Sequence, residues 1–423
     1  MDGLAVCVVG LGRIGLPLAV QCASKGMRVT GADIDAALVE KIDAGTCPYP
    51  DEDGLAEAMA SAHAAGLLTA TTDTTEAVRR SSVVVIVVPV GLTAEKRADF
   101  AALDTAARAV AGGIQRQTLV VLETTVPLGT TRRRLGAALE ASGRRIGSDL
   151  FLAYSPERVF VGRVLTDLRR YPKIVGGADE ESARRAAAFY ESVLDAPVLK
   201  LASCEAAELV KLAETTYRDV NIALANEFAR IADAHGIDVT EVIAAANSQP
   251  FSHIHQPGVG VGGHCIPVYP RFLLEGDRAR LPEAARQIND GMAAYAVERL
   301  GRALGGLAGK TVLILGLSYR PDVKEAAFSS AFLLVDELTA RGARVLVHDP
   351  LFSAEEVRAL ALEPAEPFPP PHVDAVIVQA LHSAYRDVDF RAFSGCQVVL
   401  DGRDVLSREK IEALGMRYVG IGR

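Results

Sequence analysis

The chain has 423 residues, 49% of them hydrophobic, and a formal net charge of -8. That length suffices for two or three domains with cores of their own, and the acidic balance gives no support to a nucleic-acid-binding surface. The six cysteines, Cys7, Cys22, Cys47, Cys204, Cys265 and Cys396, lie far apart with no CxxC pair, which argues against a disulfide framework and against a zinc site and suits a reducing cytoplasm. The longest apolar run, Val83 to Val90, is far below membrane-spanning length, and the first residues do not have the basic and apolar regions of a secretory leader.

Leu4 to Val9 is a continuous apolar run, the pattern of a strand buried on both faces. Gly10-Leu-Gly-Arg-Ile-Gly15 follows, then a helical stretch from about Ile14 to Lys25 that Gly26 stops, then a second strand, Met27 to Ala32, ending at Asp33. This strand–turn–helix–strand order with a closing acid is the layout of a dinucleotide site. Gly10 makes the tight turn, Gly12 admits a pyrophosphate and Gly15 lets helix and strand pack closely. The helix start, with Arg13 and Ile14, brings N–H groups and the positive end of the dipole. Asp33 is expected to accept bonds from the adenosine ribose and to repel a 2′-phosphate, which favours NAD over NADP. The plainer reading is a glycine-rich turn in another α/β fold.

Further strands are expected over Ser81 to Val90, ending at Pro89, over Thr118 to Val126, and over Leu150 to Tyr154, which runs into Ser155-Pro-Glu-Arg158. Ligands of doubly wound sheets sit at the carboxyl ends of strands. Pro89, Thr125 and Glu157 therefore face the cofactor side, unless the threonine merely ties a turn and the glutamate is merely solvated. Ser203 to Ala234 reads as one long helix stopped by Gly236, with Leu209, Leu212, Val220, Leu224, Phe228 and Ile231 on one stripe. A helix of that length separates two α/β lobes and suits a dimer core. Lys211 on it is a snorkelling surface residue or, if buried, a site residue.

Gly258, Gly260, Gly262 and Gly263 fall just before Cys265, so this stretch is a loop whose glycines allow positive φ and close approach of the backbone to a ligand. A thiol after a bank of free N–H groups suits a nucleophile, and a surface loop with a buried thiol is the alternative. A linking helix from about Pro282 to Leu304 leads to a second α/β unit, with strands at Gly309 to Gly316, Ala343 to Val347, Val373 to Gln379 and Gln397 to Leu400. That unit has only Gly316 where the first has three glycines, so a second dinucleotide is not expected. Arg403, in Asp401-Gly-Arg403, suits a bidentate contact with phosphate or carboxylate, or a surface ion pair.

Six motifs in order, Gly10-x-Gly-x-x-Gly15-Leu-Pro17, Glu123-Thr-Thr-Val-Pro127, Ser155-Pro-Glu-Arg158, Glu208-Leu-Val-Lys211, Gly262-Gly-His-Cys-Ile-Pro267 and Asp401-Gly-Arg403, resemble the UDP-glucose/GDP-mannose dehydrogenase family over essentially the whole chain. The Gly-Gly-His-Cys-Ile-Pro-Val stretch and Tyr217 to Ala223 resemble its branch for UDP-N-acetylhexosamines, with UDP-N-acetyl-D-mannosamine the expected substrate. UDP- or dTDP-glucose, UDP-N-acetylglucosamine, and a non-catalytic NAD-binding protein are the alternatives. The resemblance implies an α/β fold of two Rossmann-like doubly wound domains joined by a long central helix. It assigns residues 1–200 to NAD, 201–305 to a central helical dimerisation region with the cysteine loop, and 306–423 to the nucleotide sugar.

It also implies four-electron oxidation of a sugar C6 hydroxyl to a carboxylate through a cysteine thioester, in a cytoplasmic homodimer or larger homo-oligomer with no nucleic-acid or membrane partner. Cys265 is then the nucleophile, Lys211 steadies the C6 oxyanion or shuttles its proton, Glu157 and Thr125 position water, and Thr215 stands where the family carries an asparagine. Arg158, Asn221, His253, His255, Arg320, Arg403 and the Gly258 to Gly263 loop face the substrate, and Lys324 faces the cofactor in place of a missing family arginine. The chain departs from the family pattern at Tyr269, where an aspartate is usual, at Phe160-Val161, at Ser248 and Phe251 where the hexosamine branch carries arginines, and at Ala326-Ala-Phe-Ser329.

Overall fold

The computed structural model of the chain describes residues 3–274 and 279–423. They form two compact units, 1–214 and 215–423. The first is built on β1 (Ala5–Val9), β2 (Arg28–Ala32), β3 (Leu68–Thr71), β4 (Val83–Ile86), a short hairpin β5 (Gly91–Leu92) and β6 (Ala98–Asp99), β7 (Leu119–Leu122), β8 (Phe151–Tyr154), β9 (Lys173–Gly177) and β10 (Val198–Leu201). Eight of these strands make one sheet in the order β10-β9-β8-β7-β4-β1-β2-β3. All its pairs are parallel except β8 with β9. Val6 and Val8 of β1, Val85 of β4 and Val121 of β7 sit in the core with Leu16, Leu18 and Val20 of the first helix, Gly15–Ser24. Burial on both faces is what the unbroken apolar strands predict. Gly26, at φ 83°, ends that helix.

Two expected strands are shorter than their apolar runs. The register pairs Val9 with Ile86 and Ile86 with Leu122, so β1, β4 and β7 stop at one level. Beyond it Val87 and Glu123 each keep one backbone bond to the strand beside them, to Val9 and Ile86, and the chain then peels away as loops at the carboxyl edge. β9 and β10 escape sequence reading because Gly176, Gly177 and two lysines break the apolar pattern.

The second unit holds a five-stranded parallel sheet, β12-β11-β13-β14-β15, from β11 (Thr311–Leu315), β12 (Arg344–His348), β13 (Ala375–Val378), β14 (Val398–Asp401) and β15 (Arg417–Gly420). Helices Met292–Leu304 and Ser330–Ala340 cover one face of it. The expected linking helix is two helices, Arg280–Asp290 and Met292–Leu304, which meet at Gly291. The central helix, Cys204–His235, starts in the first unit and ends in the second. Its apolar residues are not one stripe. Leu212 is fully buried, but Leu209, Leu224 and Ile231 are each about half exposed, and the face in the core carries Ala225, Ala229 and Ala232 instead. The chain is thus an α/β protein of two Rossmann-like doubly wound domains joined by a long helix. Among the described residues no helix is long and apolar enough to cross a membrane.

Candidate active site

The glycine turn after β1 separates three roles. Gly10 has φ 94°, and a Cβ there would lie 3.1 Å from the Val87 backbone. At Gly15 a Cβ would fall 1.8 Å from the Gly10 carbonyl oxygen, so helix and turn touch only because it is absent. Around Gly12 nothing lies within 4 Å of the corresponding point. This is the one position of the three whose bareness no neighbour in the described residues accounts for. Gly12, Arg13 and Ile14 donate no backbone bond within the protein among the described residues, and no side chain caps the helix at Ile14. Unsatisfied N–H groups at a helix start, over an open cradle, fit a pyrophosphate.

Asp33 stands at the end of β2. Its Oδ2 accepts the Leu11 N–H at 2.7 Å, and its Oδ1 accepts the Asp35 N–H at 3.0 Å. The carboxylate therefore ties the second strand to the turn and keeps lone pairs for ribose hydroxyls. Arg13 is exposed and paired with Asp51 at 2.6 Å, and Pro89 is exposed on the loop past β4. This donor set fits NAD, which would accept hydride here.

The loops past β7 and β8 carry the other half of this edge. Thr125 is buried in the turn after β7, and the neighbouring Thr124 donates to the Val88 carbonyl at 2.5 Å. Lys211 of the central helix donates from Nζ to the backbone oxygen of Glu157. Arg158 bonds the Pro172 carbonyl and pairs with Glu214 at 2.5 Å. Glu208, one turn before Lys211, accepts the N–H groups of Gly129 and Thr131 and fixes the helix to the turn after Pro127. Beneath them lies a charge cluster whose Lys173 and Tyr190 sequence reading did not single out. The Lys173 Nζ is 2.9 Å from Glu123 Oε1 and 2.9 Å from Glu157 Oε2, and Tyr190 donates to Glu123. Burial and the charge of Glu157 hold Glu123 above the usual carboxylate range despite Lys173. For Glu157 burial also works upward, but Lys173, the Arg158 N–H and Lys211 outweigh it and hold the carboxylate low.

The cysteine loop belongs to the second unit, and its glycines serve packing against protein. A Cβ at Gly258 would meet the Arg403 guanidinium at 2.8 Å, one at Gly260 would meet Ser330 at 3.0 Å, and one at Gly262 would meet Tyr319 at 2.7 Å. Gly263, at φ 91°, donates to the Ala327 carbonyl. The absence of side chains at these glycines lets the chain cross close over Tyr319, Ser330 and the residues that follow β14. Arg403 spends its fork on this task. Nε donates to the Gln379 carbonyl at 2.8 Å, Nη1 to the Gly260 carbonyl at 2.9 Å and Nη2 to Ser330 Oγ at 2.9 Å. Burial pulls the guanidinium down to about 10, which leaves it charged at neutral pH.

Cys265 is exposed at the end of this loop, and His264 beside it pairs with Glu325 at 3.1 Å. Asn221 donates to the His253 carbonyl at 2.7 Å and accepts the His255 N–H at 2.9 Å, so it holds that segment to the central helix. His253 is exposed. Burial and the nearby Arg218 push His255 below the usual histidine range. Thr215 is buried, the half-buried Arg320 lies over Tyr319, and the exposed Lys324 pairs with Glu356 at 2.6 Å.

A Rossmann domain with this cradle is the nucleotide half of an NAD-dependent oxidoreductase. The chain belongs to the UDP-glucose/GDP-mannose dehydrogenase family. Its NAD binding domain matches residues 4–194, its central domain 205–291 and its UDP binding domain 313–408. The chain is 32% identical to the UDP-N-acetyl-D-mannosamine dehydrogenase of Methanocaldococcus jannaschii, over 99% of this chain and 97% of that one. It is 33% identical to an NDP-N-acetyl-D-galactosaminuronic acid dehydrogenase of Ralstonia solanacearum, over 98% and 99%. The solved UDP-D-ManNAc dehydrogenase of Pyrococcus horikoshii superposes with a TM-score of 0.87 at 32% identity, covering 99% of both chains. The protein is an NAD-dependent nucleotide-sugar dehydrogenase.

Proposed function

We propose that this chain oxidises the C6 hydroxyl of UDP-N-acetyl-D-mannosamine to a carboxylate with two NAD+. The full-length likeness to enzymes of that name carries the substrate. The Lys211–Glu157 pair and the exposed Cys265 support the chemistry. Bound NAD would supply the oxidant for both steps, as the acceptor of hydride from C6. Lys211 steadies the oxygen as the alcohol loses its proton, or itself passes that proton on to water. The aldehyde has no second hydride to give until the Cys265 thiolate adds to its carbon and forms a C–S bond. Loss of the next hydride leaves a thioester. Glu157 then takes a proton from water, which adds to the carbonyl; the C–S bond breaks and the thiolate returns. Thr125 and Thr215 orient this centre, Arg158, Asn221, His253, His255 and Arg320 face the sugar nucleotide, and Lys324 faces the cofactor. Arg403 acts through the loop it clamps.

Residues 1–200 serve NAD, 201–305 the cysteine loop and dimerisation, and 306–423 the nucleotide, a division that the family-domain matches support. The working form is a homodimer through the central helix, supported by the exposed Tyr217, Leu224 and Ile231. All six cysteines are free thiols, which supports a reducing, cytoplasmic setting. The test is NADH released per sugar, at completion, against UDP-N-acetyl-D-mannosamine, UDP-N-acetylglucosamine, UDP-N-acetylgalactosamine, UDP-glucose and dTDP-glucose. Two NADH per molecule of the first is expected. Two NADH from another sugar alone would move the assignment to that sugar, and one would exclude the thioester route.

A further inference from the structure

Lys173 is buried on β9 with a charge that two carboxylates share. Its side chain is 5% exposed, that of Glu123 is 0% and that of Glu157 is 14%, so Glu157 is the member with access to a ligand. The groups that face Glu157 come from four elements: Lys173 on β9, Glu123 past β7, Arg158 with its backbone N–H next along the chain, and Lys211 on the central helix. Tyr190, on the helix Glu180–Val193, closes the far side. It donates to Glu123, and Lys173 lies over its ring at 4.9 Å. The buried Cys22 thiol of the first helix feels both Glu123 and Lys173.

We infer that Lys173, anchored by Glu123 and Tyr190, is a positioning residue that aims Glu157 and keeps it ionised as the base of the hydrolytic step. The inference rests on the proposed role of Glu157. Oε2 of Glu157 is fixed by Lys173, and Oε1 accepts the Arg158 N–H at 2.6 Å, so the carboxylate has one orientation. Glu123 supplies the counter-charge that lets an ammonium be buried at all. Its Oε2 has no partner, so it holds the lysine from one side only. During hydrolysis the proton taken from water resides on Glu157. Lys173 stays charged throughout, because its two neighbours raise its affinity for the proton more than burial lowers it. A partner that only braced the fold would leave the pH dependence of the second half-reaction unmoved.

Lys173→Met keeps the stem and removes the charge. Loss of an opposite charge at this range raises a carboxyl group by about 1–3 pH units. The acid limb of kcat is therefore expected to move up by at least about one unit, with KM for the sugar unchanged. Below the shifted limb a burst of two NADH per site precedes slow turnover, and the acyl-enzyme is visible by intact mass. Lys173→Arg restores the wild-type limb. If the single variant does not fold, Lys173→Met with Glu123→Gln removes the stranded carboxylate, and its limb is compared with that of Glu123→Gln alone. A folded variant without the lysine charge whose acid limb stays in place overturns the inference. Glu157→Gln separates the two claims. Wild-type turnover in that variant removes Glu157 as the base, whereas slow hydrolysis there beside an unmoved Lys173→Met limb removes only the role of Lys173.

Discussion

The Asp33 carboxylate does two things at once: it bonds the Leu11 N–H and presents negative charge at the end of β2. The two are separable. Asp33→Asn keeps an acceptor for Leu11 and loses the charge, so discrimination against NADP should relax while NAD binding weakens modestly. Asp33→Ala loses both, and NAD affinity should fall by about 10–100-fold, the scale of charge-assisted bonds left unmade. Fluorescence titration with NAD and NADP reads both, and unchanged cofactor preference in both variants would remove Asp33 as the ribose ligand. Asp33 is visible in the sequence because its neighbours within one βαβ unit frame it. Lys173 and Tyr190 have no such frame, and Glu123 shows only as the first residue of a motif, with nothing to say what it faces. Tyr190 reaches Glu123 across 67 residues of sequence, and the lysine lies on a strand whose apolar pattern is broken, so only the folded sheet discloses the cluster.

Glycine-rich turns look alike in sequence, yet the two here have opposite purposes. In the turn after β1, Gly15 is bare so that the helix can touch Gly10, whereas Gly12 is bare towards open space. Gly15→Ala should lower the melting temperature by about 10 °C or more, the effect of a backbone overlap worth a few kcal/mol. Gly12→Ala should melt within about 2 °C of wild type without cofactor, since surface changes rarely exceed half a kcal/mol, yet lose NAD affinity at least about tenfold. Thermal melts with and without NAD separate them, and equal behaviour of the two variants would break the distinction. The cysteine loop was legible as a loop and as the place of Cys265, but not in why it is bare. Its glycines face Arg403, Ser330 and Tyr319, and no local pattern tells a chain that must clear a ligand from one that must clear another chain. The strand ends show the same limit. Apolar runs gave the strands, but where each stops depends on where its neighbour stops.

At the scale of the molecule the central helix decides what stays in water. Its 32 residues span about 48 Å at the usual rise, and its face in the second core is lined by alanines, which lets the helix lie close to its neighbours. The large residues point the other way. Tyr217, Leu224 and Ile231 recur at every seventh position, two turns apart, and are 57%, 45% and 51% exposed. Three large side chains half in water on one line are more than scattered surface hydrophobics, and burying them adds a few kcal/mol, on the order of 25 cal/mol per Å². A second copy of the same helix offers the self-complementary surface that a twofold contact needs. Leu224→Glu with Ile231→Glu should therefore leave the fold intact, because both positions already face solvent. Their carboxylates would meet their own copies across the twofold. Light scattering should then give one chain of 44.8 kDa in place of two, with an unchanged circular-dichroism spectrum. A mass that stays at that of the wild type would place the contact elsewhere, and a wild-type mass of one chain would end the dimer proposal outright.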